Sequence, residues 1–332
     1  MKLALCTTVR GADSVLDFFV DYHLSIGFDV IFLFFDDVAD NGIDRFAKRQ
    51  NVVVYRSDEE LQQLWKSIKY QKLYRKYIPS ITTEVMARQN LNTAVAMELC
   101  RKHGYDWLLH IDSDELFYTY GRSIKDHFSS LSLNNIRIIN YRNHESVPEK
   151  FDISNFFSEN NLFKKNKAVL NPYQKQLVNK WFTKFDGIFF YFYANGKSAV
   201  RIDDDAIPDG VHFFTYKNRI LRQLKFKAPI KKLIEWDEPC ILHFPCCGFR
   251  QFYNKYRFLG NFSDKNFNKL PIKLPMHLKC RDIINNESLE TAKEFYQSIF
   301  INYQLQNADL FLKEGVYFRV PLINSDMRNI KL

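Results

Sequence analysis

The sequence lacks any apolar run approaching the ~20 residues that a helix needs to cross a bilayer. Its six cysteines form no Cys-x-x-Cys pair and show no zinc-site spacing, and the adjacent Cys246 and Cys247 are poorly suited to a disulfide. The first residues run directly into a predicted strand, without the apolar region of a signal peptide. We therefore expect a soluble, cytoplasmic protein with reduced thiols and no transmembrane segment, for which peripheral membrane contact stays open.

Signatures of two large classes of nucleotide-binding protein are also missing. No Gly-x-Gly-x-x-Gly follows the first predicted strand, so the dinucleotide fingerprint is absent, and the chain has no Walker A lysine loop. The formal net charge of +9 fits an anionic partner such as a nucleotide, a phosphate or an acidic membrane surface. Because the basic residues are scattered and form no recognisable nucleic-acid-binding module, we expect no nucleic-acid partner.

Aromatic side chains are abundant. The 332 residues include 31 Phe and 18 Tyr, and 16% of the chain is aromatic, which indicates a rigid, aromatic-rich core. The length allows one large α/β domain or two smaller ones. No internal repeat, low-complexity tract or linker divides the chain.

The first third of the chain predicts strands and helices in alternation. Apolar runs predict strands at residues 3–8, 30–35 and 51–55, and helical periodicity predicts helices at 15–26 and 84–103. An entirely apolar run such as 30–35 is typical of a strand buried on both faces of its sheet. This order predicts an open, mainly parallel α/β sheet, in which ligands bind beyond the carboxyl ends of the strands.

The stretch from Trp107 to Phe117 holds the main candidate site. A short apolar run predicts a buried strand, and it ends in Asp112-Ser113-Asp114 followed by Glu115. Neighbouring carboxylates repel when they are partly desolvated, so this sequence needs a counter-charge. A hard divalent cation, Mg²⁺ or Mn²⁺, whose coordination a substrate diphosphate completes, would supply it. The alternative is a solvated acidic turn, because Asp-x-Asp also occurs by chance.

Other polar residues follow neighbouring predicted strands. Arg10 comes after the first strand and Asp36-Asp37 after the second. Arg88-Gln89 lies in the first turns of the helix that leads to the Asp112 strand. Because the carboxyl ends of parallel strands meet at one edge of a sheet, we expect these groups to converge on Asp112-Ser113-Asp114.

The remaining sequence gives coarser predictions. Residues 61–77 predict one basic, aromatic helix, and residues 143–170 have the composition of an irregular, polar insertion. Asn195-Gly196 predicts a hairpin between the segments 187–193 and 198–202. Strand-like segments occur at 136–141 and 241–244, and helical patterns at 249–259 and 288–303.

In combination these motifs resemble the GT-A-fold glycosyltransferases of the family 2-like group, in particular those related to family 92. The most specific part runs from Arg88-Gln89 through Asp106-Trp107 to residues 111–116, which closely match the family's Ile-Asp-x-Asp-Glu-Phe. The family's Asn-Glu after Val-Arg is replaced here by Gly11-Ala12. The other similar segments are Val9-Arg10, Tyr22-His23 with Gly27, Phe35-Asp36-Asp37, residues 197–201, His212, His243-Phe244 and residues 252–255.

This resemblance, which covers roughly residues 1–260, implies a domain division and an activity. It implies a GT-A glycosyltransferase domain at 1–260, with a nucleotide-sugar half at about 1–120 and an acceptor half at about 121–260. Residues 261–332 would form a C-terminal helical extension packed on it. The implied reaction is metal-dependent transfer of a sugar, of hexosyltransferase type and with inversion. The donor would be a UDP or GDP sugar and the acceptor a hydroxyl of a glycan or glycoconjugate.

The resemblance also implies roles for single residues. Mn²⁺ or Mg²⁺ would be held by Asp112 and Asp114, with Asp114 as the direct ligand, and His212 and His243 compete for a third position. The residues implied in nucleotide binding are Thr8, Arg10, Asp36, Asp37, Arg88, Gln89, Asp112 and Ser113.

Inverting transfer needs a general base for the acceptor hydroxyl. The candidates in the sequence are Glu115, Asp203, Asp204, Asp205, Asp209, Glu235 and Asp237, of which we select Glu115, Asp209 and Asp237. The sequence does not identify a single base, and an enzyme that retains configuration would need none.

Two other functions fit part of the pattern. Phosphatases of the haloacid dehalogenase type use Asp-x-Asp with Mg²⁺ and an aspartyl nucleophile. Their motif normally follows the first strand, whereas three predicted strands precede Asp112. A catalytically degenerate nucleotide-sugar-binding module is the other alternative, because the Asn-Glu after Arg10 is lost. Slow hydrolysis of a nucleotide sugar would distinguish an enzyme from such a module.

Overall fold

The computed structural model describes residues 1–11, 13–183, 188–203, 205–217, 230–232, 238–265 and 270–323. Its strands are β1 (Leu3–Val9), β2 (Val30–Phe35), β3 (Val52–Arg56), β4 (Trp107–His110), β5 (Glu115–Tyr118), β6 (Ile138–Tyr141), β7 (Asn143–Ser146), β8 (Leu162–Lys164), β9 (Lys197–Arg201), β10 (Ala206–Asp209), β11 (Phe213–Tyr216), β12 (Ile230–Lys232), β13 (Cys240–His243) and β14 (Tyr317–Arg319).

The helices pack on and between the sheets that these strands form. They are α1 (Asp13–Ile26), α2 (Ile43–Ala47), α3 (Glu59–Ser67), α4 (Gln71–Tyr77), α5 (Val85–His103), α6 (Ile124–Leu133), α7 (Phe156–Glu159), α8 (Pro172–Trp181), α9 (Phe249–Leu259), α10 (Pro275–Asn286), α11 (Leu289–Phe295), α12 (Tyr303–Leu305) and α13 (Ala308–Lys313). A π-helical stretch, Tyr296–Asn302, joins α11 to α12.

A seven-stranded sheet in the order β3-β2-β1-β4-β9-β6-β12 forms the centre of the molecule. The strands β1 to β4 run parallel to one another, and β9 is antiparallel to both β4 and β6. This confirms the predicted fold class, an open and mainly parallel α/β sheet of GT-A type with flanking helices. The strands predicted at 3–8, 30–35 and 51–55 and the helices predicted at 84–103 and 249–259 are confirmed within one or two residues.

Both faces of this sheet are covered, as the apolar strands required. In β2, Ile31, Leu33 and Phe35 point into one hydrophobic cluster, while Phe32 and Phe34 point into another. The first cluster includes α1, α2 and α6, and the second includes α3, α4 and α5. Burial on both faces explains why this sequence shows no alternation of apolar and polar residues.

A second, five-stranded sheet has the order β14-β8-β7-β13-β5. It corrects the prediction that residues 143–170 are an irregular insertion, because β7 and β8 are buried strands of this sheet. The polar side chains that suggested a surface loop are buried among hydrogen-bond partners. Glu145 accepts bonds from the backbone N–H groups of Tyr191 and Phe192, 3.0 and 2.9 Å long, and its carboxylate lies 2.5 Å from the Lys164 ammonium.

The predicted hairpin at Asn195-Gly196 is wrong. The described residues before it, 188–196, form no strand, and β9 pairs instead with β4 and β6. Gly196 has a φ of +70°, and a Cβ at this position would lie 1.8 Å from the Tyr141 carbonyl oxygen. The glycine therefore allows close backbone contact with β6, a requirement that a local turn motif cannot reveal.

One smaller boundary also differs from the predictions. The single helix predicted at 61–77 is two helices, α3 and α4, because Ile68 is extended at ψ 138° and its side chain enters the core. The helical pattern at 288–303 is confirmed as α11 and the π-helical stretch. A separate two-stranded sheet consists of β10 and β11.

The residues after 260 contain helices α10 to α13 and also β14, which pairs with β8 of the second sheet. Tyr296 and Phe300 pack with Phe252 of α9 in one aromatic cluster. The proposed division at residue 260 stays a prediction. All six cysteines are buried free thiols, and within the residues described no helix is long and apolar enough to span a membrane.

Tyr22 and His23 of α1 bind the backbone of Phe117 in β5, the strand that follows the acidic turn. The Tyr22 hydroxyl donates to the Phe117 carbonyl over 2.9 Å, and the Phe117 N–H donates to His23 Nε2 over 3.2 Å. His23 Nδ1 lies 2.7 Å from the Phe19 carbonyl, so the ring is the neutral Nδ1–H tautomer. Burial lowers the pKa of His23 to about 3. β5 is an edge strand, and these side chains satisfy the backbone N–H and carbonyl of Phe117 on it.

We expect His23→Ala to destabilise the protein by roughly 3 kcal/mol, because it leaves a cavity and a buried N–H without an acceptor. The folded state keeps His23 neutral while the unfolded chain binds a proton below about pH 6.5, so this stability is present at neutral pH and is lost as the pH falls. Urea denaturation at pH 7 and pH 5 should therefore show wild type losing about 2 kcal/mol more than the variant. His103→Ala, at an exposed position, is the control. Equal pH dependence of wild type and His23→Ala would contradict this account.

Candidate active site

The polar groups predicted to converge do lie at the carboxyl edge of the central sheet. Arg10 follows β1, Asp36 follows β2, and Asp112 follows β4, and these three strands are adjacent. Arg88 and Gln89 of α5 reach the same edge, where their side chains contact Asp36 and Asp112 respectively. The parallel direction of the strands places these groups together.

Asp36 forms the first cluster of this edge, with its side chain only 1% exposed. Arg88 binds both carboxylate oxygens, Nε to Oδ1 and Nη2 to Oδ2, the second bond being 2.8 Å long. Arg10 Nη1 lies farther away, 3.4 Å from Oδ2, and the Arg10 side chain is 38% exposed. Asp37 is exposed and accepts a bond from the Ala39 N–H, which shapes the turn. Arg88 thus neutralises Asp36, and Arg10 presents its remaining donors to solvent.

Asp112 begins the second cluster. Its Oδ1 accepts a 3.0 Å bond from Gln89 Nε2, and its Oδ2 lies 2.6 Å from the Lys197 ammonium. Burial would raise the pKa of Asp112, but Lys197 outweighs burial and holds it well below its ordinary value. Both oxygens of this carboxylate therefore have partners from the protein itself.

Lys197 is a completely buried cation at the first position of β9. Besides Asp112, its ammonium contacts the Val211 carbonyl at 3.2 Å and lies 3.7 Å from Glu115 Oε2. Burial disfavours the charged form, yet Asp112 and Glu115 raise the pKa of Lys197 above its ordinary value. Because β9 pairs with β4, the antiparallel strand carries this charge to the acidic turn.

Asp114 has a different partner. Its Oδ2 lies 3.0 Å from the ammonium of Lys255 on α9, and its Oδ1 lies 3.9 Å from His243 Nε2. The backbone carbonyl of Asp114 accepts a 2.9 Å bond from the Phe244 N–H, which ties the turn to the end of β13. Asp112 and Asp114 are therefore each paired with their own lysine.

Glu115 lies beneath the turn, with its side chain 5% exposed. Its Oε2 accepts a 2.8 Å bond from the Asp112 N–H. Burial, together with the negative charges of Asp112 and Asp114, raises the pKa of Glu115 to about 8. A buried and largely neutral carboxyl group that binds the backbone of the turn is suited to shaping that turn, and its burial disfavours a role as general base for an acceptor hydroxyl.

The two candidate histidines both lie near the acidic turn. His212 Nδ1 donates to the Gly196 carbonyl over 2.9 Å, and burial lowers the pKa of His212 to about 4. Burial also lowers the pKa of His243, and its buried Nδ1 has no partner among the residues described. Both rings are neutral at pH 7, the form that can bind a metal.

The arrangement of these donors does not fit a metal site that is already formed. Within the described ranges, no group of three or more His, Cys, Asp or Glu side chains is placed to hold a metal ion. The two aspartates of the motif are occupied by ammonium groups, at 2.6 and 3.0 Å. The prediction of Mn²⁺ or Mg²⁺ stays a prediction, and the counter-charge that the acidic turn requires is supplied here by lysine.

Helix α9 connects the two clusters. Its Lys255 meets Asp114, and its Phe258 lies under Arg10, whose Cζ is 3.8 Å from the ring centroid. Residues three apart lie on the same face of a helix. A cation over an aromatic face is held by the ring quadrupole. One face of α9 therefore positions both Lys255 and Arg10 at the carboxyl edge.

The remaining predicted residues are distributed more widely. Thr8 is buried in β1 and its hydroxyl accepts a 3.0 Å bond from Asn92, and Ser113 is half-buried in the turn. Asp203 and Asp205 lie beyond the Arg201 end of β9, which pairs with Trp107 at the start of β4. These two acids are thus at the opposite edge of the sheet from Asp112. Asp204, Glu235 and Asp237 lie outside the described residues.

Besides the buried Glu115, Asp209 is the candidate base among the described residues that lies toward the carboxyl edge of the central sheet. It is exposed at the end of β10 and lies two residues before Val211, whose carbonyl binds Lys197. It also lines a groove of about 200 Å³ between α4 and β10, together with Tyr70, Lys72 and Lys76.

Lys197 and Lys255 lie within the segments that resemble the family, and the resemblance implies no role for either of them. The sequence feature that could have pointed to them is the unbalanced negative charge of three carboxylates within four residues, which a lysine can neutralise as well as a metal ion can.

Comparison with known proteins gives relatives but no matching family model. The chain is 31% identical over 263 residues to the Arabidopsis thaliana protein Glycosyltransferase-like At2g41451, an alignment that covers 74% of this chain and 54% of that protein. It is 25% identical over 262 residues to Glycosyltransferase-like At3g57200 of the same plant, covering 74% of this chain and 47% of the relative.

Among solved structures, core-mannan synthase A (CmsA/Ktr4) from Aspergillus fumigatus, in its Mn/GDP form, aligns with 45% of this chain and 43% of its own. The identity is 13% and the TM-score 0.24, so the fold assignment depends on the sheet order and not on this match. The chain spans about half the length of the curated relatives it matches, and it is similar to proteins named glycosyltransferase-like.

Proposed function

We propose that this chain binds a nucleoside-diphosphate sugar at the carboxyl edge of the central sheet and transfers the sugar to an acceptor hydroxyl. The observation that carries the proposal is the convergence of the Asp36 and Asp112 clusters at this edge. In each cluster both carboxylate oxygens have side-chain partners, and one of these partners is a cation. The sequence resemblance to GT-A glycosyltransferases and the names of the two plant relatives support the reaction class.

We assign the nucleoside to the Asp36 side of the edge and the diphosphate to the Asp114 side. Asp36 is bound by Arg88, so its part is to orient Arg88 and Arg10 toward the nucleotide. Gln89 fixes Asp112 and so keeps the acidic turn in register with α5. The donor would be a UDP or GDP sugar, and a hexose would be the transferred group.

For the acceptor half we propose a glycan or glycoconjugate that enters along the groove beside Asp209. In an inverting reaction Asp209 would take the proton of the acceptor hydroxyl, because it is exposed at this edge while Glu115 is buried. The proposed reaction does not include the predicted Mn²⁺ or Mg²⁺, because both aspartates of the motif are paired with lysines.

The second candidate function is a catalytically degenerate binding module. The ion pairs of Asp112 with Lys197 and of Asp114 with Lys255 favour it, because an acidic turn that is already neutralised can bind a ligand without reacting. An assay of hydrolysis or transfer with a panel of UDP and GDP sugars distinguishes the two. An enzyme releases the free nucleoside diphosphate, and a binding module does not. The phosphatase alternative is not supported, because its nucleophile would be Asp112, which has both oxygens bound.

We expect Asp114→Asn to lower sugar transfer by about two to three orders of magnitude while leaving the fold intact. The amide keeps the size of the side chain but loses the charge that positions Lys255 at the edge. Initial rates of nucleoside diphosphate release measure the effect, and a thermal melt checks folding. Asp44→Asn is a matched control, because this carboxylate is 81% exposed and pairs only with Arg56 among the contacts described. A folded Asp114→Asn protein with near wild-type rates would rule out this role.

A separate expectation concerns Glu115→Gln. Because burial keeps this carboxyl group largely neutral at pH 7, the amide should preserve activity within about threefold, whereas loss of a general base would cost at least a hundredfold. The folded protein holds this proton up to about pH 8 and the unfolded chain only to about 4.5, so wild-type stability should fall as the pH rises between these values. Denaturation at pH 6 and pH 8 should show a smaller decrease for the variant. A hundredfold loss of activity at pH 7 would instead identify Glu115 as the base.

A further inference from the structure

The two lysines of the acidic turn differ in what they can reach. The Lys197 side chain is completely buried and is held by Asp112 and the Val211 carbonyl, so it is a fixed internal counter-charge. The Lys255 side chain is 32% exposed and has one carboxylate partner, Asp114, among the described contacts. Lys255 can therefore meet a ligand without leaving its helix, and Lys197 cannot.

Arg10 is a second cation of the same kind. Arg88 already binds both oxygens of Asp36, and Arg10 is left 38% exposed at a longer distance of 3.4 Å. Phe258 supports the Arg10 guanidinium from below, one turn of α9 away from Lys255. Arg10 and Lys255 are thus positioned by one helix face, between the acidic turn and the Asp36 cluster.

A divalent cation that entered this site would be repelled by the ammonium groups of Lys197 and Lys255. Each aspartate of the motif already faces an ammonium at 3.0 Å or less. A dication bound to the same oxygens must displace Lys255 or stay close to it, and both cost electrostatic energy in a partly desolvated site. A diphosphate, which is an anion, meets favourable charge at Arg10 and Lys255 without any rearrangement of Lys197.

We infer that Arg10 and Lys255 bind the donor diphosphate directly and that this binding needs no divalent cation. This inference depends on the proposed function, because it names the groups that receive the diphosphate at that site. In the transfer step the bond between the anomeric carbon and the β-phosphate oxygen breaks, and its electron pair stays on that oxygen. The acceptor oxygen bonds to the anomeric carbon, and its proton passes to the general base. Lys255 and Arg10 stabilise the charge left on the diphosphate.

The test is calorimetric titration of the whole chain with UDP and with GDP, in excess EDTA and in saturating MnCl₂. We expect one of these nucleotides to bind with dissociation constants that agree within about threefold in the two buffers. Lys255→Met should weaken this binding by about twentyfold, and Lys255→Arg should restore most of it, because a charged donor is regained. Arg257→Met is the matched control, since Arg257 is an exposed cation on the same helix.

The outcomes separate this inference from the proposed function. Binding that needs MnCl₂ would overturn the inference and leave the proposed function standing, and this arm uses wild type, so it does not depend on the folding of a variant. Metal-independent binding that is unchanged in folded Lys255→Met would also overturn it. No binding of UDP or GDP in either buffer would overturn both.

Discussion

The balance of charge at the acidic turn is the constraint on which the rest of this structure depends. Three carboxylates occur within four residues at the end of a buried strand, and two of them are matched by ammonium groups within 3.0 Å. The third, Glu115, is kept largely neutral by burial and by its neighbours. Without Lys197 and Lys255 the turn would hold like charges in a low-dielectric site, a condition that folded proteins avoid by pairing or by neutralisation.

Distant parts of the chain have to be assembled to satisfy this constraint. Lys197 arrives on the antiparallel strand β9, which pairs between β4 and β6, and Lys255 arrives on α9 after β13 has paired with β5. Tyr22 and His23 fix the edge of β5 from the opposite side. The motif at 112–115 is therefore short in sequence, but its geometry is produced by both sheets. This dependence explains why residues that are remote from the turn belong to the same candidate site.

The sequence was sufficient to predict the first half of the fold and the position of the site. Uniform apolar runs identified β1 and β2, and the parallel topology placed Arg10, Asp36 and Asp112 at one edge. It failed where polar residues are buried among specific partners, as in β7, where Glu145 binds Lys164 and two backbone N–H groups. The sequence also did not show whether the partner of Asp114 is a lysine or a metal ion, because that depends on a contact between residues 141 positions apart.

The most direct test of the central claim is a crystal structure of the whole chain with bound UDP or GDP, using the nucleotide that binds more tightly. The account predicts that the diphosphate lies between α9 and the turn at 112–114, within hydrogen-bond distance of Lys255 and Arg10, with the nucleoside toward Asp36. A nucleotide bound elsewhere, for example in the groove between α4 and β10, would contradict it. So would a diphosphate at the carboxyl edge whose oxygens contact neither cation.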